Sequence, residues 1–146
     1  MYRLVIDSDR CTGCNSCMLA CAFVHSTRFS YDESRVLIVR DLVRSASSVR
    51  VCVQCDDAPC ISACPVHALT RKEGSMQIVL DQDKCTGCGR CVDACPFDGV
   101  GFNQETSMPL ICDLCDGDPA CVNACALPRA IRYEKVPCGD YEEGKE

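Results

Sequence analysis

Tryptophan is absent from this chain, histidine occurs twice, and aromatic rings of any kind make up 5% of residues. An ordinary hydrocarbon core is therefore out of reach, because the 47% apolar fraction falls to roughly 35% once cysteine is set aside. Excess positive charge is missing too. Lys and Arg total 15 against 21 Asp and Glu, giving a net charge of −6 and a pI near 4.9, so no nucleic-acid partner is expected. Long apolar runs are also lacking. Val36-Leu37-Ile38-Val39 falls far below the ~20 residues that cross a bilayer. Residues 1 to 7 have neither the apolar stretch of a signal peptide nor a twin-arginine pair. The expectation is a cytoplasmic protein that does not insert into a membrane.

What the chain has instead is cysteine, 17 in 146 residues. That length allows one domain or two very small ones, and so thin a core needs covalent or inorganic help. Sixteen of the cysteines form four groups of four: Cys11, Cys14, Cys17 and Cys21; Cys52, Cys55, Cys60 and Cys64; Cys85, Cys88, Cys91 and Cys95; Cys112, Cys115, Cys121 and Cys125. Cys138 is left over. The first and third groups read Cys-x2-Cys-x2-Cys-x3-Cys, and Pro96 completes a bacterial ferredoxin run in the third. The second and fourth groups widen the central gap to four and five residues.

A disulfide framework would need an oxidising compartment and would not repeat one spacing. Structural zinc uses Cys-x2-Cys pairs set further apart. A cubane iron–sulfur cluster fits better. Three cysteines two residues apart wrap one corner of the cube, and the fourth, carried off on a short helix, ligates a different cluster. The spacing thus predicts four 4Fe-4S clusters, each with three local ligands and one imported.

The chain also repeats. Asp9-Arg10-Cys11-Thr12-Gly13-Cys14 aligns with Asp83-Lys84-Cys85-Thr86-Gly87-Cys88, and the loop from Cys52 to Cys60 aligns with that from Cys112 to Cys121. A strand is expected before each tight loop, at Tyr2 to Asp7 and Met76 to Asp81. After the later motifs a turn recurs, in which small Ala68, Gly99 and Ala130 are read as letting backbone approach inorganic sulfide. Residues 22 to 51 form an insertion in which 35–40 and 48–51 read as a hairpin, either covering clusters or forming a docking surface. Residues 137 to 146 read as an acidic tail.

From Tyr2 to Ile131 these motifs resemble the four-cluster, ferredoxin-like electron-transfer subunits of molybdenum and tungsten oxidoreductases. That family is the DMSO reductase iron–sulfur subunit type, with relatives in carbon monoxide dehydrogenases and membrane-bound hydrogenases. The resemblance implies that the first motif pairs with the fourth and the second with the third. The implied ligand sets are Cys11, Cys14, Cys17 with Cys125; Cys112, Cys115, Cys121 with Cys21; Cys52, Cys55, Cys60 with Cys95; and Cys85, Cys88, Cys91 with Cys64. The implied fold is α+β, one double domain over residues 1 to 136 made of two pseudo-symmetric bacterial ferredoxin-like modules. Each module holds two 4Fe-4S clusters among short strands and short helices, with the outer motifs 11–21 and 112–125 in one and the inner motifs 52–64 and 85–95 in the other. Where a ferredoxin run has proline after the fourth cysteine, this chain has Ala22 and Ala126. The compact form is similar to small polyferredoxin subunits that accompany tungsten aldehyde oxidoreductases.

A cubane with four thiolates has no open iron, so the expected activity is one-electron relay without catalysis. Four oxidised clusters at about −2 each would take the charge to roughly −14, which nearby Arg10, Lys84, Arg90 and Arg129 either offset or merely solvate. His25 and His67 are read as surface or turn histidines. Asp56-Asp57 and Asp116-Gly117-Asp118 are read as turn residues. The expected partner is a tungsten- or molybdenum-containing catalytic subunit, of an aldehyde oxidoreductase, formate dehydrogenase, carbon monoxide dehydrogenase or hydrogenase. A flavin subunit, a ferredoxin or further copies of the chain would receive or supply the electrons. A free polyferredoxin shuttle is the nearest alternative, and a cluster-based redox sensor a more distant one.

Overall fold

The computed structural model describes residues 2–125 and 129–137, so Cys138 and the tail beyond it lie outside the described residues. In chain order the elements are β1 (Tyr2–Ile6), α1 (Ser16–Ser26), β2 (Leu37–Asp41), β3 (Ala46–Arg50), α2 (Pro59–Ser62) and β4 (Leu69–Arg71). Then come β5 (Ile78–Leu80), α3 (Arg90–Asp93), β6 (Gly101–Asn103), β7 (Met108–Leu110), α4 (Ala120–Ala124) and β8 (Ile131–Lys135). The order strand, helix, hairpin, helix, strand runs through twice, a small mixed α/β architecture of short elements. Among the described residues, no helix is long and apolar enough to cross a membrane.

Every sheet is a two-stranded antiparallel ribbon: β1 with β8, β2 with β3, β4 with β5, and β6 with β7. The first joins the two ends of the chain, with Tyr2 opposite Lys135 and Ile6 opposite Ile131. The strand run expected at Met76 to Asp81 narrows to β5, because residues before Ile78 close the β4–β5 turn, where the Lys72 N–H donates to the Gln77 carbonyl at 2.9 Å. Helix α1 packs on α4, and α2 on α3.

In the second and third groups, what succeeds the fourth cysteine limits the helix. Pro65 and Pro96 disfavour helical backbone at Cys64 and Cys95, so α2 and α3 stop after four residues. Ala22 imposes no such stop, and α1 continues to Ser26 for 11 residues.

Two-stranded ribbons are marginal by themselves, and the buried interior holding these together is unusual. Leu4, Val36, Leu69, Ile78 and Ile131 share it with Cys17, Cys21, Cys52, Cys60, Cys91, Cys112 and Cys121, so seven of its nineteen residues are cysteines. The β2–β3 and β6–β7 hairpins each lie over a tight cysteine loop. Gly13 has φ +69° and packs beneath β3, where a Cβ would sit 2.7 Å from the Ser47 Oγ, while Arg40 on β2 donates to the Gly13 carbonyl at 2.6 Å. Gly87, with φ +67°, lies in the same way against Ser107 in the β6–β7 turn. The hairpin within residues 22 to 51 therefore covers the first cysteine loop, while its tip holds Leu42 and Val43 out to solvent.

Candidate metal centres

The first two cysteines of each group sit on or beside left-handed backbone, and the third lies in the helix that follows. Asn15 (φ 63°) and Gly89 (φ 74°) enter α1 and α3 this way, and Ala58 (φ 39°) enters α2. In the fourth group Leu114, Cys115 and Asp116 all have positive φ. The cysteine that closes each group then lies in or just after that helix.

Amides converge on these sulfurs. Ala68 N–H donates to Cys64 Sγ and Gly99 N–H to Cys95 Sγ, each at 3.3 Å. Arg35 N–H donates to Cys21 Sγ at 3.3 Å and Leu114 N–H to Cys112 Sγ at 3.4 Å. The recurring turn thus delivers an amide to a cysteine sulfur. Glycine at position 99 has a further reason: a Cβ there would lie 2.5 Å from the Val51 carbonyl oxygen.

The thiols influence one another in sets that cut across the sequence groups. Burial pushes Cys17 up to about 12, and Cys125, Cys11 and Cys14 add to the rise. Those four cysteines also line one cavity, with Ile38, Val49 and Ile131. Burial likewise pushes Cys121 up to about 12, reinforced by Cys21, Cys115 and Cys17. It raises Cys112 well above the ordinary thiol range, with Cys52, Cys121 and Cys21 contributing. Cys52 is pushed up to about 12 by burial, then by Cys60, Cys55 and Cys95. Cys60 reaches about 11 by burial, aided by Cys55, Cys95 and Cys91. Cys91 is raised by burial, and Cys85 and Cys88 add to it. Sixteen crowded thiols, many sealed from water, suit soft metal coordination, which removes the protons and spreads the charge. Cys14 and Cys88 alone among the sixteen are exposed.

Several residues singled out in the sequence take other roles. Arg10 pairs with Asp7 at 3.2 Å and Lys84 with Asp81 at 2.7 Å. All of Arg10, Lys84, Arg90 and Arg129 are exposed, which favours solvation over compensation of cluster charge. Asp56 is more than a turn residue, since it forms an ion pair with the buried Arg3. Asp116 pairs with Lys72 at 2.8 Å, and Asp118 accepts from Asn123 at 3.0 Å. His67 lies exposed in a turn with φ 51°, as expected.

His25 departs from expectation. It is not a surface residue; its side chain retains 13% exposure. Its Nδ1 lies 2.7 Å from the Cys21 carbonyl oxygen and 3.7 Å from Cys21 Sγ, and its Nε2 lies 3.0 Å from Asp113 Oδ1. The Asp113 carboxylate, then Cys115 and Cys21, push the ring up to about 12. Asp113 resists its own partial burial and is held below the usual carboxylate range by His25 and the Cys115 amide. The sequence signal was available: His25 stands four residues after Cys21 on an uninterrupted helix, one turn along the same face.

Gln54 was also missed. It is buried, donates to the Cys112 carbonyl at 2.5 Å and accepts from the Ile78 amide at 2.7 Å, tying the second motif to the fourth and to β5.

Comparison with known proteins agrees with this geometry. Residues 51–99 match a 4Fe-4S dicluster domain, residues 77–126 match another 4Fe-4S dicluster domain, and residues 2–23 match a 4Fe-4S binding domain. The chain is 36% identical over 122 residues to the polyferredoxin-like subunit of an aliphatic sulfonate oxidoreductase from Pyrococcus furiosus, covering 84% of this chain and 70% of that protein. It is 32% identical over 148 residues to the thiosulfate reductase electron transfer subunit PhsB of Salmonella typhi, covering 92% and 76%. Among solved structures, the active-site complex BamBC of benzoyl coenzyme A reductase contains a chain with TM-score 0.55 and 26% identity, covering 94% of this chain and 81% of that one.

Proposed function

Because this chain belongs to the ferredoxin-like 4Fe-4S proteins that serve oxidoreductases as electron-transfer subunits, we propose that it is a four-cluster wire docked on a catalytic subunit. The ligand sets are Cys11, Cys14, Cys17 and Cys125 (cluster I); Cys21, Cys112, Cys115 and Cys121 (cluster II); Cys52, Cys55, Cys60 and Cys95 (cluster III); and Cys64, Cys85, Cys88 and Cys91 (cluster IV). One observation supports this reading above others: three of the imported cysteines add to the rise of a thiol in the loop they would join, Cys125 at Cys17, Cys21 at Cys121 and Cys95 at Cys52, and Cys125 lines one cavity with Cys11, Cys14 and Cys17. The sets make two pseudo-symmetric modules, one holding clusters I and II and the other III and IV.

Neighbouring thiols of different sets support an order: Cys17 adds to the rise at Cys121, Cys52 at Cys112 and Cys91 at Cys60. On this reading the clusters lie in the series I, II, III, IV, with exposed Cys14 at one end and exposed Cys88 at the other. Electrons enter at one exposed end and leave at the other, and the fully thiolate-ligated cubes convert no substrate. The partner we favour is a tungsten- or molybdenum-dependent oxidoreductase, with an aldehyde oxidoreductase first among them. Kinship with the sulfonate oxidoreductase subunit supports docking over free diffusion.

Substitution at an imported ligand tests the crossing. Cys21→Ala should release Cys112, Cys115 and Cys121 to alkylation, read by mass spectrometry of anaerobic protein, while Cys11, Cys14 and Cys17 stay protected. Release of Cys11, Cys14 and Cys17 instead would sink the assignment. Anaerobic co-purification with a large tungsten- or molybdenum-containing chain tests the docking, and isolation alone as an active shuttle would count against it.

A further inference from the structure

Cluster II, as assigned above, has a neighbour that sulfur spacing does not announce. Helix α1 runs past Cys21 because Ala22 stands where proline would end it, and His25 comes round one turn later. Both ring nitrogens face acceptors, Nδ1 the Cys21 carbonyl oxygen and Nε2 the Asp113 carboxylate, so the ring holds both protons and a positive charge. Its Nδ1 is 3.7 Å from Cys21 Sγ. Ligand-type atoms of His25, Asp113 and Cys115 lie within 4.8 Å of one another. The cation thus stands against two ligands of one cluster that come from opposite ends of the chain.

The pair is oriented. The His25 side chain keeps 13% exposure and Asp113 keeps 36%, so the positive member is on the sheltered side and the negative member is better screened by water. Asp113 is fixed in turn by the Cys115 amide at 3.0 Å, and Cys21 Sγ also accepts the Arg35 N–H. A cation beside a cluster favours the state with one more electron, and an anion disfavours it.

We propose that His25, oriented by Asp113, is a positioning charge that raises the reduction potential of cluster II, so that this cluster holds its added electron more tightly than it would without the cation. This rests on the ligand sets given above. The step it tunes is the gain of one electron by the oxidised cluster from its neighbour in the series, with no bond to the histidine made or broken.

The test is a mediated redox titration of the full, anaerobically purified chain, followed by electron paramagnetic resonance with iron counted in each sample. In His25→Gln, one cluster should become harder to reduce, its reduced-to-oxidised ratio at fixed potential falling about tenfold, or about 59 mV for a one-electron couple. The other three couples should stay in place, and His25→Lys, which restores the charge, should return the shifted couple toward wild type. Unmoved couples in His25→Gln at full iron content would overturn the proposal, as would His25→Lys behaving like His25→Gln. A second measurement needs no change at position 25. With only two histidines in the chain, His67→Gln labelled with ¹⁵N-histidine should show a weak nitrogen coupling in the signal of one reduced cluster, and its absence would equally refute the contact. Iron content reports separately on the four-cluster assignment.

Discussion

Replacing Gly99 by alanine isolates one contact between the two halves of the chain. A Cβ at this position would stand 2.5 Å from the Val51 carbonyl oxygen, 2.7 Å from the Val51 carbonyl carbon and 2.9 Å from the Cys52 nitrogen. All three are backbone atoms, which cannot swing aside as a side-chain tip can, so one strand of chain must move. Overpacking of this kind costs about 1–3 kcal/mol, and rigid neighbours place Gly99→Ala near the upper end. The Gly99 amide also donates to Cys95 Sγ at 3.3 Å, so the same movement pulls at a ligand of cluster III while pushing on Cys52, another of its ligands. At about 2–4 °C per kcal/mol for a chain of this size, the expected loss is about 6–12 °C. Gly74→Ala is the control: φ there is +71° with nothing within 4 Å, so only left-handed strain of about 1–2 kcal/mol applies. Because cluster loss is irreversible, the assay follows bleaching of the iron–sulfur absorbance on anaerobic heating at one fixed scan rate. Gly99→Ala bleaching together with wild type, or no earlier than Gly74→Ala, would refute the reasoning.

Two other outcomes follow from the packing. Gln54→Ala strips partners from the buried Ile78 amide and Cys112 carbonyl, at about 1–3 kcal/mol for each group left unsatisfied, and should lower the guanidinium midpoint of anaerobic cluster loss well below that of a surface change such as Glu73→Ala. Stripping the iron with a chelator should abolish the fold, seen as loss of the far-ultraviolet circular dichroism of the strands and helices. Seven of nineteen core residues are cysteines, and the remaining hydrocarbon is too little to hold four separate ribbons.

Features set by neighbours in sequence were legible without a structure. Cysteine spacing depends on a few consecutive residues, and so do the strand at Tyr2–Ile6 and the hairpin partners Leu37–Asp41 and Ala46–Arg50. Contacts made across long stretches were not. Pairing of β1 with β8, the reach of Gln54 to Cys112 and the meeting of His25 with Asp113, 88 residues away, leave no periodic trace. Ala22 was noticed as a missing proline, and the spacing of His25 from Cys21 was open to reading, but the carboxylate waiting at Asp113 was not. Gly99 was read as making room for sulfide, and the structure adds a second demand on the same position, the Val51 and Cys52 backbone where a side chain would stand.

The pairing of the first strand with the last bears on how a ribosome can deliver this protein. At ~5–20 residues per second, Cys11 emerges about 6–23 s before Cys125. With the ligand sets proposed above, the leading thiols lack a fourth partner for that interval. The inner motifs would then mature sooner, so metal loading should proceed from the middle of the nascent polypeptide outward, and a chain cut short after Cys95 would retain the inner pair of centres at best.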